Sequence, residues 1–477
     1  MFSTLEELQQ YVKSEEIQAV DLRFVDLLGA WHHVTIPARS ATEELLDKGV
    51  GFDSGSVPGF RTVESGDMAL IPDLSTAFVD PFPSVATLCL ICSVVEADTR
   101  ASVPNDPRNI ALRAEQYLAK SGFATQSLWG PEFEFYVFDR ARYNDSSTFL
   151  LTDIFSRESH AFLEGEILAH EGYQMGTQKG YHAIPPVDTL SDWRSELMEL
   201  LEEAGVPVKY HHHEVGSSGQ CEVEVDMGPL TAMADRSMII KYFVHMLAVR
   251  YGKLATFMPK PIYAEAGSGM HFHQMLRKSD EPVFFDEKGY AGLSILALSY
   301  IAGILDHGRA LGGITNPSTN SYKRLVPGFE APVKLFFSLA NRSAAIRVPK
   351  YATSPEDKRM EYRPPDATCN PYLAMSAMLM AGIDGMERGL NPSAMNFGPF
   401  DQDLFHHPDA EFTRSIRSVP TSLVEAMDAL VDDMGFLLKD DVFPAPLLKR
   451  LVEIKAKEAR SVADRPHPHE FALYFNV

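Results

Sequence analysis

Pro131-Glu132-Phe133-Glu134-Phe135-Tyr136-Val137-Phe138 sets two carboxylates two residues apart among aromatic and branched neighbours. Composition and period read as a β-strand, in which residues two apart share a face. Glu132 and Glu134 therefore point one way, and Phe133, Phe135 and Val137 the other. Neighbouring carboxylates repel and rise in pKa unless a cation lies between them. The pair is either the solvated face of an edge strand or one wall of a cation site.

The next segment with this character is Val208 to Val225. It runs Val-Lys-Tyr-His-His-His-Glu-Val, then Gly216-Ser217-Ser218-Gly219, then Gln-Cys-Glu-Val-Glu-Val, and reads as a hairpin. A loop centred on Ser218 sets Glu214 opposite Glu222, a like-charge pairing that destabilises a sheet unless a cation resolves it. His212 points away from His211 and His213, so the three cannot act together, and they are read as structural. Further on, Ala266-Gly267-Ser268-Gly269-Met270-His271-Phe272-His273 joins glycines that admit close backbone approach to two imidazoles on one strand face. Neutral imidazole ligates metal, and a protonated one can contact phosphate.

Cations follow in Lys323-Arg324, Arg342, Arg347 and Arg359-Met360-Glu361-Tyr362-Arg363. If extended, Arg359, Glu361 and Arg363 share a face. Surface ion pairing is the default for such a stretch. Arginine forks also suit carboxylate and phosphate bidentately, and beside a carboxylate cluster they suggest metal-assisted phosphoryl transfer. The chain contains no G-x4-G-K-[ST], G-x-G-x-x-G, G-x-S-x-G or H-E-x-x-H arrangement. Phosphate would thus be held through metals and arginines.

The bulk numbers agree. The chain's 477 residues exceed one ordinary core, and 43 Lys+Arg against 65 Asp+Glu give a net charge of −22. That balance argues against nucleic-acid or anionic-membrane surfaces. Four cysteines are too few for a disulfide framework. Cys89 and Cys92, in an apolar run, read as buried small residues. Met1 to Val12 reads as a short amphipathic helix with capping-box spacing at Thr4 and Glu7, not a signal peptide. No apolar run is long enough for a membrane span, so a cytoplasmic protein is expected.

Strands are expected over 19–25, 30–36, 68–71 and 86–95, and a helix over 40–48. The Gly- and Ser-rich stretch around Asp53 must be a loop. A boundary falls near 97–107, where Asp106 and Pro107 have N-cap and first-turn chemistry for a helix ending before Gly122. Long helices are expected near 192–204, 231–251, 292–307, 371–386 and 446–460.

Taken together, these motifs resemble class I glutamine synthetase, in family order over almost the whole chain. Asn316 to Pro332, Asn341 to Pro349 and Glu361 to Gly385 are close to family signatures as well. The resemblance implies an α+β fold. A small β-grasp-like domain (1–100) carrying a latch loop around Asp53 precedes a large catalytic α/β domain (106–477) on a curved antiparallel sheet, a half-barrel. It implies that Glu134, Glu214 and Glu222 hold one Mg2+ or Mn2+, and that Glu132, His271 and Glu361 hold another. ATP would be bound by His273, Arg347 and Arg359. Glutamate would be bound by Gly267, Arg324, Glu330, Arg342 and Arg363. An ammonium pocket would comprise Asp53, Ser56, Tyr181, Glu214 and Glu330, and Asp53, Glu330, Arg342 and Arg363 would take part in catalysis. The expected reaction makes glutamine through a γ-glutamyl phosphate. The expected assembly is a homododecamer of two hexameric rings with active sites between subunits.

Three positions depart from the family pattern: Ala266 stands for an asparagine, Met275 for a serine, and Phe405 for the tyrosine that is adenylylated in many bacterial members. Adenylylation control is therefore expected to be absent. The alternatives are a γ-glutamyl-amine ligase of the same fold, a catalytically dead structural or regulatory relative, and a two-metal phosphohydrolase.

Overall fold

The computed structural model describes residues 2–60, 66–159, 173–327, 331–401 and 411–475, with backbone alone at 162–163 and 166–167. The N-terminal part is a five-stranded sheet with two short α-helices. The helix α1 (Leu5–Ser14) starts on the expected capping box of Thr4 and Glu7. The strands are β1 (Ala19–Val25), β2 (Trp31–Pro37), β3 (Val50–Asp53), β4 (Asp67–Asp80) and β5 (Thr87–Glu96), in the order β2-β1-β5-β4-β3. The helix expected at 40–48 is shorter, Glu43–Lys48, behind a 3-10 turn at Ala38–Ser40. One face of the sheet closes over Val20, Leu22, Leu70 and Leu90. The other, with Val25, Phe78 and Cys89, joins the core of the larger part. All four cysteines are free and buried.

The connection to the larger part is built on Asp106. Its carboxylate accepts from Arg108 N at 3.1 Å, capping the helix α2 (Pro107–Ser121), and from Val94 N in β5 at 2.9 Å. Arg108 then reaches Asp73 at 2.7 Å and Asp235 at 3.0 Å, so one buried guanidinium ties β4 to the 230–250 helix.

The larger sheet contains β6 (Gln126–Phe138), β7 (Val208–His213), β8 (Gln220–Val225), β9 (Met270–Lys278), β10 (Lys334–Leu339), β11 (Ala344–Val348) and β12 (Met360–Tyr362). Their order is β7-β8-β6-β9-β12-β11-β10, with three short strands off this path. Neighbours along it are antiparallel except β10 and β11, which run parallel. The sheet curls into a half-barrel. One of its faces is apolar: Phe133, Phe135, Val223, Phe272 and Tyr362 are essentially inaccessible. Each such side chain contributes about 1.5–3 kcal/mol of burial, which fixes which face of β6 looks inward. Helices Ser191–Glu203, Leu230–Arg250, Ile295–Asp306, Pro371–Glu387 and Ala445–Ala463 match the expected long helices within a few residues.

The hairpin register differs from expectation. His212 pairs with Glu222, and Glu214 N donates to Gln220 O. The loop therefore centres on Ser217. Gly219 at φ +84° turns the chain into β8, and Gly216 N is held by Gln220 Oε1 at 2.7 Å. Because the shift is two residues, every side chain keeps its face.

Candidate active site

Cross-strand pairing gathers the polar face of the sheet into rows. Tyr210 pairs with Glu224, Glu224 with Glu132, and Glu132 with His271; His212 pairs with Glu222, and Glu222 with Glu134. His273 pairs with Glu361, and Glu361 with Arg347. These rows floor a cavity of about 550 Å³, lined among others by Glu132, Glu134, Glu214, Glu222, His271 and Glu361. All six expected metal ligands line it, and the ligand atoms of Glu132, His271 and Glu361 lie within 4.8 Å of one another, whereas the group around Glu214 and Glu222 is completed by His212, not by Glu134. His271 Nδ1 lies 3.0 Å from Glu132 Oε2 and 3.6 Å from Glu361 Oε1, and its Nε2 is 3.7 Å from Glu134 Oε1.

The cluster has two unlike halves. Around Glu361 the charge is compensated: Arg347 Nη1 and Arg363 Nη1 donate to its two oxygens at 2.7 and 2.6 Å. Burial alone would raise its pKa, but Arg363 and Arg347 hold it below the usual carboxylate value despite neighbouring Glu132. Glu132 is likewise driven well down: His273 and His271 overcome its burial. The other half lacks such partners. Glu214 is pushed well above the ordinary value by burial and by Glu222 and Glu134. Glu222 is raised by burial and by Glu132 and Glu134, against His212.

Candidate ligand atoms of His212, Glu214 and Glu222 lie within 4.8 Å of one another. Two carboxylate charges no farther apart than that repel by at least roughly 3 kcal/mol at an effective dielectric near 20. The nitrogens of His212 approach no closer than 3.6 Å to Glu214 and 3.4 Å to Glu222. These contacts are longer than ordinary hydrogen bonds. Glu214 Oε2 is buried with no hydrogen-bond partner among the described residues. Oxygen donors in surplus, one imidazole and an unpartnered carboxylate oxygen fit a hard divalent cation.

Loops complete the walls. Glu134 Oε2 accepts from Gly269 N at 2.7 Å. Tyr136 Oη donates to Ala266 O at 2.6 Å, and Gln220 Nε2 to Gly267 O at 3.0 Å. A Cβ on Gly267 would lie 2.7 Å from both Arg324 and Pro259 O, so only glycine fits this approach. Arg324 is buried, with its Nη1 on Pro364 O at 2.7 Å and its Nη2 on Arg363 O at 3.1 Å. Arg342 stands over the Tyr181 ring at 5.6 Å, and both line the cavity.

Other expected residues lie differently. His273 and Arg359 are buried but do not line the cavity. His273 Nε2 sits 2.7 Å from Glu132 Oε1, and Arg359 donates to Asp357 O and stacks on Tyr351 at 5.3 Å. Asp53 and Ser56 are exposed and outside the cavity lining, with Asp53 accepting from Gly55 N at 2.8 Å. Glu330 and Phe405 lie outside the described residues.

Sequence reading missed Glu224 and misassigned His212. Glu224 is buried, 3.7 Å from His273 Nε2, and neutralised by Lys209 at 2.5 Å. Its alternation with Glu222 was the available signal. His212 is not merely structural: it faces Glu214 and Glu222, because period two puts it with Tyr210 on the polar face. His211 and His213 do face the other way.

Comparison with known proteins gives one answer. The family model described as "Glutamine synthetase, beta-Grasp domain" matches residues 16–97, and "Glutamine synthetase, catalytic domain" matches 104–474. The glutamine synthetase of Streptomyces coelicolor is 44% identical over 480 residues, covering 100% of both chains. That of Pseudomonas aeruginosa is 44% identical over 470 residues, 98% of this chain and 99% of its own. A cryo-EM structure of Plasmodium falciparum glutamine synthetase superposes with a TM-score of 0.89 at 26% identity, covering 99% of each chain. A ligand-free GmaS structure, at 24% identity and TM-score 0.80 over 98% of this chain and 99% of that one, shares the fold. The chain belongs to the glutamine synthetase family.

Proposed function

We propose that the protein ligates ammonium to the side-chain carboxylate of L-glutamate at the expense of ATP, giving glutamine, ADP and phosphate. The observation that carries this reading is the convergence of five carboxylates and one imidazole on one cavity floor, with arginines beside them. Glu134, Glu214 and Glu222 would hold one Mg2+ or Mn2+, and Glu132, His271 and Glu361 the other. Bound there, a divalent ion supplies Lewis-acid neutralisation of phosphate charge.

The chain's own groups do the rest. Arg324 and Arg363, with Gly267, orient glutamate. Its carboxylate oxygen attacks the γ-phosphorus, the bond to ADP breaks, and a γ-glutamyl phosphate forms. Arg342 and Arg347, which line the cavity, offset the charge of the transferring group, while Arg359 and His273, set behind the lining, would meet the ATP phosphates only if nucleotide binding exposes them. Ammonium sits among Glu214, Tyr181 and Ser56, and Asp53 removes its proton. The freed ammonia attacks the acyl carbon and phosphate leaves, while Glu330 excludes water.

Asp53 and Ser56 are exposed and absent from the cavity lining. This supports a site completed by the latch loop of a neighbouring subunit, within a homododecamer of two hexameric rings. Residues 1–100 and 106–477 are read as the two domains. No helix among the described residues is long and apolar enough to cross a membrane, and the cytoplasm is the proposed location. Phosphate release from ATP, Mg2+ and glutamate should depend on ammonium, with glutamine as product. Turnover with putrescine or spermidine but not ammonium would reassign the protein as a γ-glutamyl-amine ligase. Hydrolysis of ATP without glutamate would make it a phosphohydrolase.

A further inference from the structure

We propose that Glu158 and His213 are a positioning pair that fixes the backbone of Glu214 and the adjoining Tyr181 wall, and so sets the affinity of the Glu134–Glu214–Glu222 cation site. The proposal rests on the reading of that cluster as a cation site.

Both side chains are almost wholly buried, at 1% and 0% exposure. Glu158 Oε1 accepts from Thr189 N at 2.6 Å and Thr189 Oγ1 at 2.8 Å. Its Oε2 lies 3.0 Å from His213 Nε2. The far nitrogen of the same ring, Nδ1, lies 2.7 Å from Glu214 O. A carbonyl oxygen can only accept, so Nδ1–H donates, and the ring orientation is set from both ends. The chain of contacts thus runs from Thr189 through carboxylate and imidazole to the main chain of a cation-site residue.

His213 also anchors the cavity wall. Its carbonyl accepts from His182 N at 3.0 Å, and Gly180 N donates to Val215 O at 3.1 Å. A Cβ on Gly180 would lie 2.4 Å from Glu214 O and 2.6 Å from the His213 ring. The segment bearing Tyr181 is therefore pressed onto this imidazole. Glu158, Asp188 and His213 come close enough together to suggest a third cation site. Each is instead satisfied internally, with Asp188 held by Arg194 at 2.5 Å and by Leu190 N at 3.0 Å. The trio supports the neighbouring site.

A generic buried network would affect only folding. This one ends on Glu214, so breaking it should loosen one cation site and spare the other. Groups that orient ligands in this way change metal affinity by about 10–100-fold when lost. The test is a Mn2+ titration of the full-length protein followed by EPR, with thermal melts and steady-state kinetics alongside. Wild type should bind two ions per chain. Glu158→Ala should weaken one of them by about tenfold or more, and raise the Mn2+ needed for half-maximal turnover in parallel, with the second ion unchanged. Glu158→Asp keeps the charge but falls short of the imidazole, and should weaken the same ion by a smaller factor, so the test survives if the alanine variant does not fold. Glu158→Gln can still accept from Thr189 and donate to His213 Nε2, and should stay near wild type. Lower melting temperature with both affinities unchanged in the Ala and Asp variants would overturn the proposal. Fewer than two ions in wild type would instead overturn the cation-site reading beneath it.

Discussion

The two halves of the cluster use the same side-chain type in opposite electrostatic settings. Around Glu361, carboxylates are matched by Arg347, Arg363, His271 and His273, and their pKa values fall. Around Glu214, carboxylates face one another and their pKa values rise. The first half is assembled by the fold alone, whereas the second stays under repulsion until a cation or a proton arrives. The comparison teaches that a ligand set can be part scaffold and part sensor, and each half should respond to change with its own sign.

Glu361→Ala should have the largest effect. It removes a proposed metal ligand and strands the buried guanidinium of Arg363 and the partly buried one of Arg347. Turnover should fall by roughly a thousandfold, and unfolding assays should register a loss of about 3–5 kcal/mol. Near-normal activity would refute the metal assignment. The next two substitutions should split by sign in metal-free protein. Glu132→Gln deprives His271 and His273 of their carboxylate and should lower stability by about 2 kcal/mol. Glu222→Gln relieves repulsion on Glu134 and Glu214 and should raise it by about 1 kcal/mol, while weakening metal binding. Denaturant melts in EDTA read both, and equal signs would break the contrast.

The pH dependence should separate the halves further. For Glu214 and Glu222 the folded pKa is raised, so the stability linked to their protonation is present below about 4.5 and lost as pH rises through their elevated values. The extra melting temperature conferred by Mn2+ should therefore grow as pH rises above about 5. A Mn2+ increment independent of pH would contradict the shift. The smallest effect lies outside the cavity lining, at His307. Asp384 and Asp433 hold it at 2.9 and 2.7 Å and raise its pKa to about 9 against the cost of burial. Its contribution is full below about 6.5 and lost as pH rises through about 9. Asp433→Asn should cost about 1 kcal/mol at neutral pH, and the difference from wild type should shrink in melts above that value.

Legibility in the sequence followed the same physics. The 131–138 stretch announced both its strand and its polar face, because Phe133 and Phe135 leave Glu132 and Glu134 only one direction. The helix from Pro107 was bounded by Asp106 and Gly122, residues whose capping chemistry is local. The hairpin was harder. Face parity was readable from alternation, but register depended on Gly219 closing the turn, which spacing alone did not disclose. Alternation separated His212 from His211 and His213, but it could not show that the face of His212 is the one shared with Glu222, which the strand pairing decides. The pairing of Glu132 with His271 joins residues 139 apart and was reached only through family resemblance. Whether Asp53 enters a neighbour's cavity is a property of assembly, and a single chain's alternation and capping are silent on it.

The most direct measurement of the central claim is anomalous diffraction from Mn2+-soaked crystals. Two peaks are predicted, one bounded by Glu134, Glu214 and Glu222 and one by Glu132, His271 and Glu361. A map with no manganese among these six side chains, or with ions bound only elsewhere, would contradict the account.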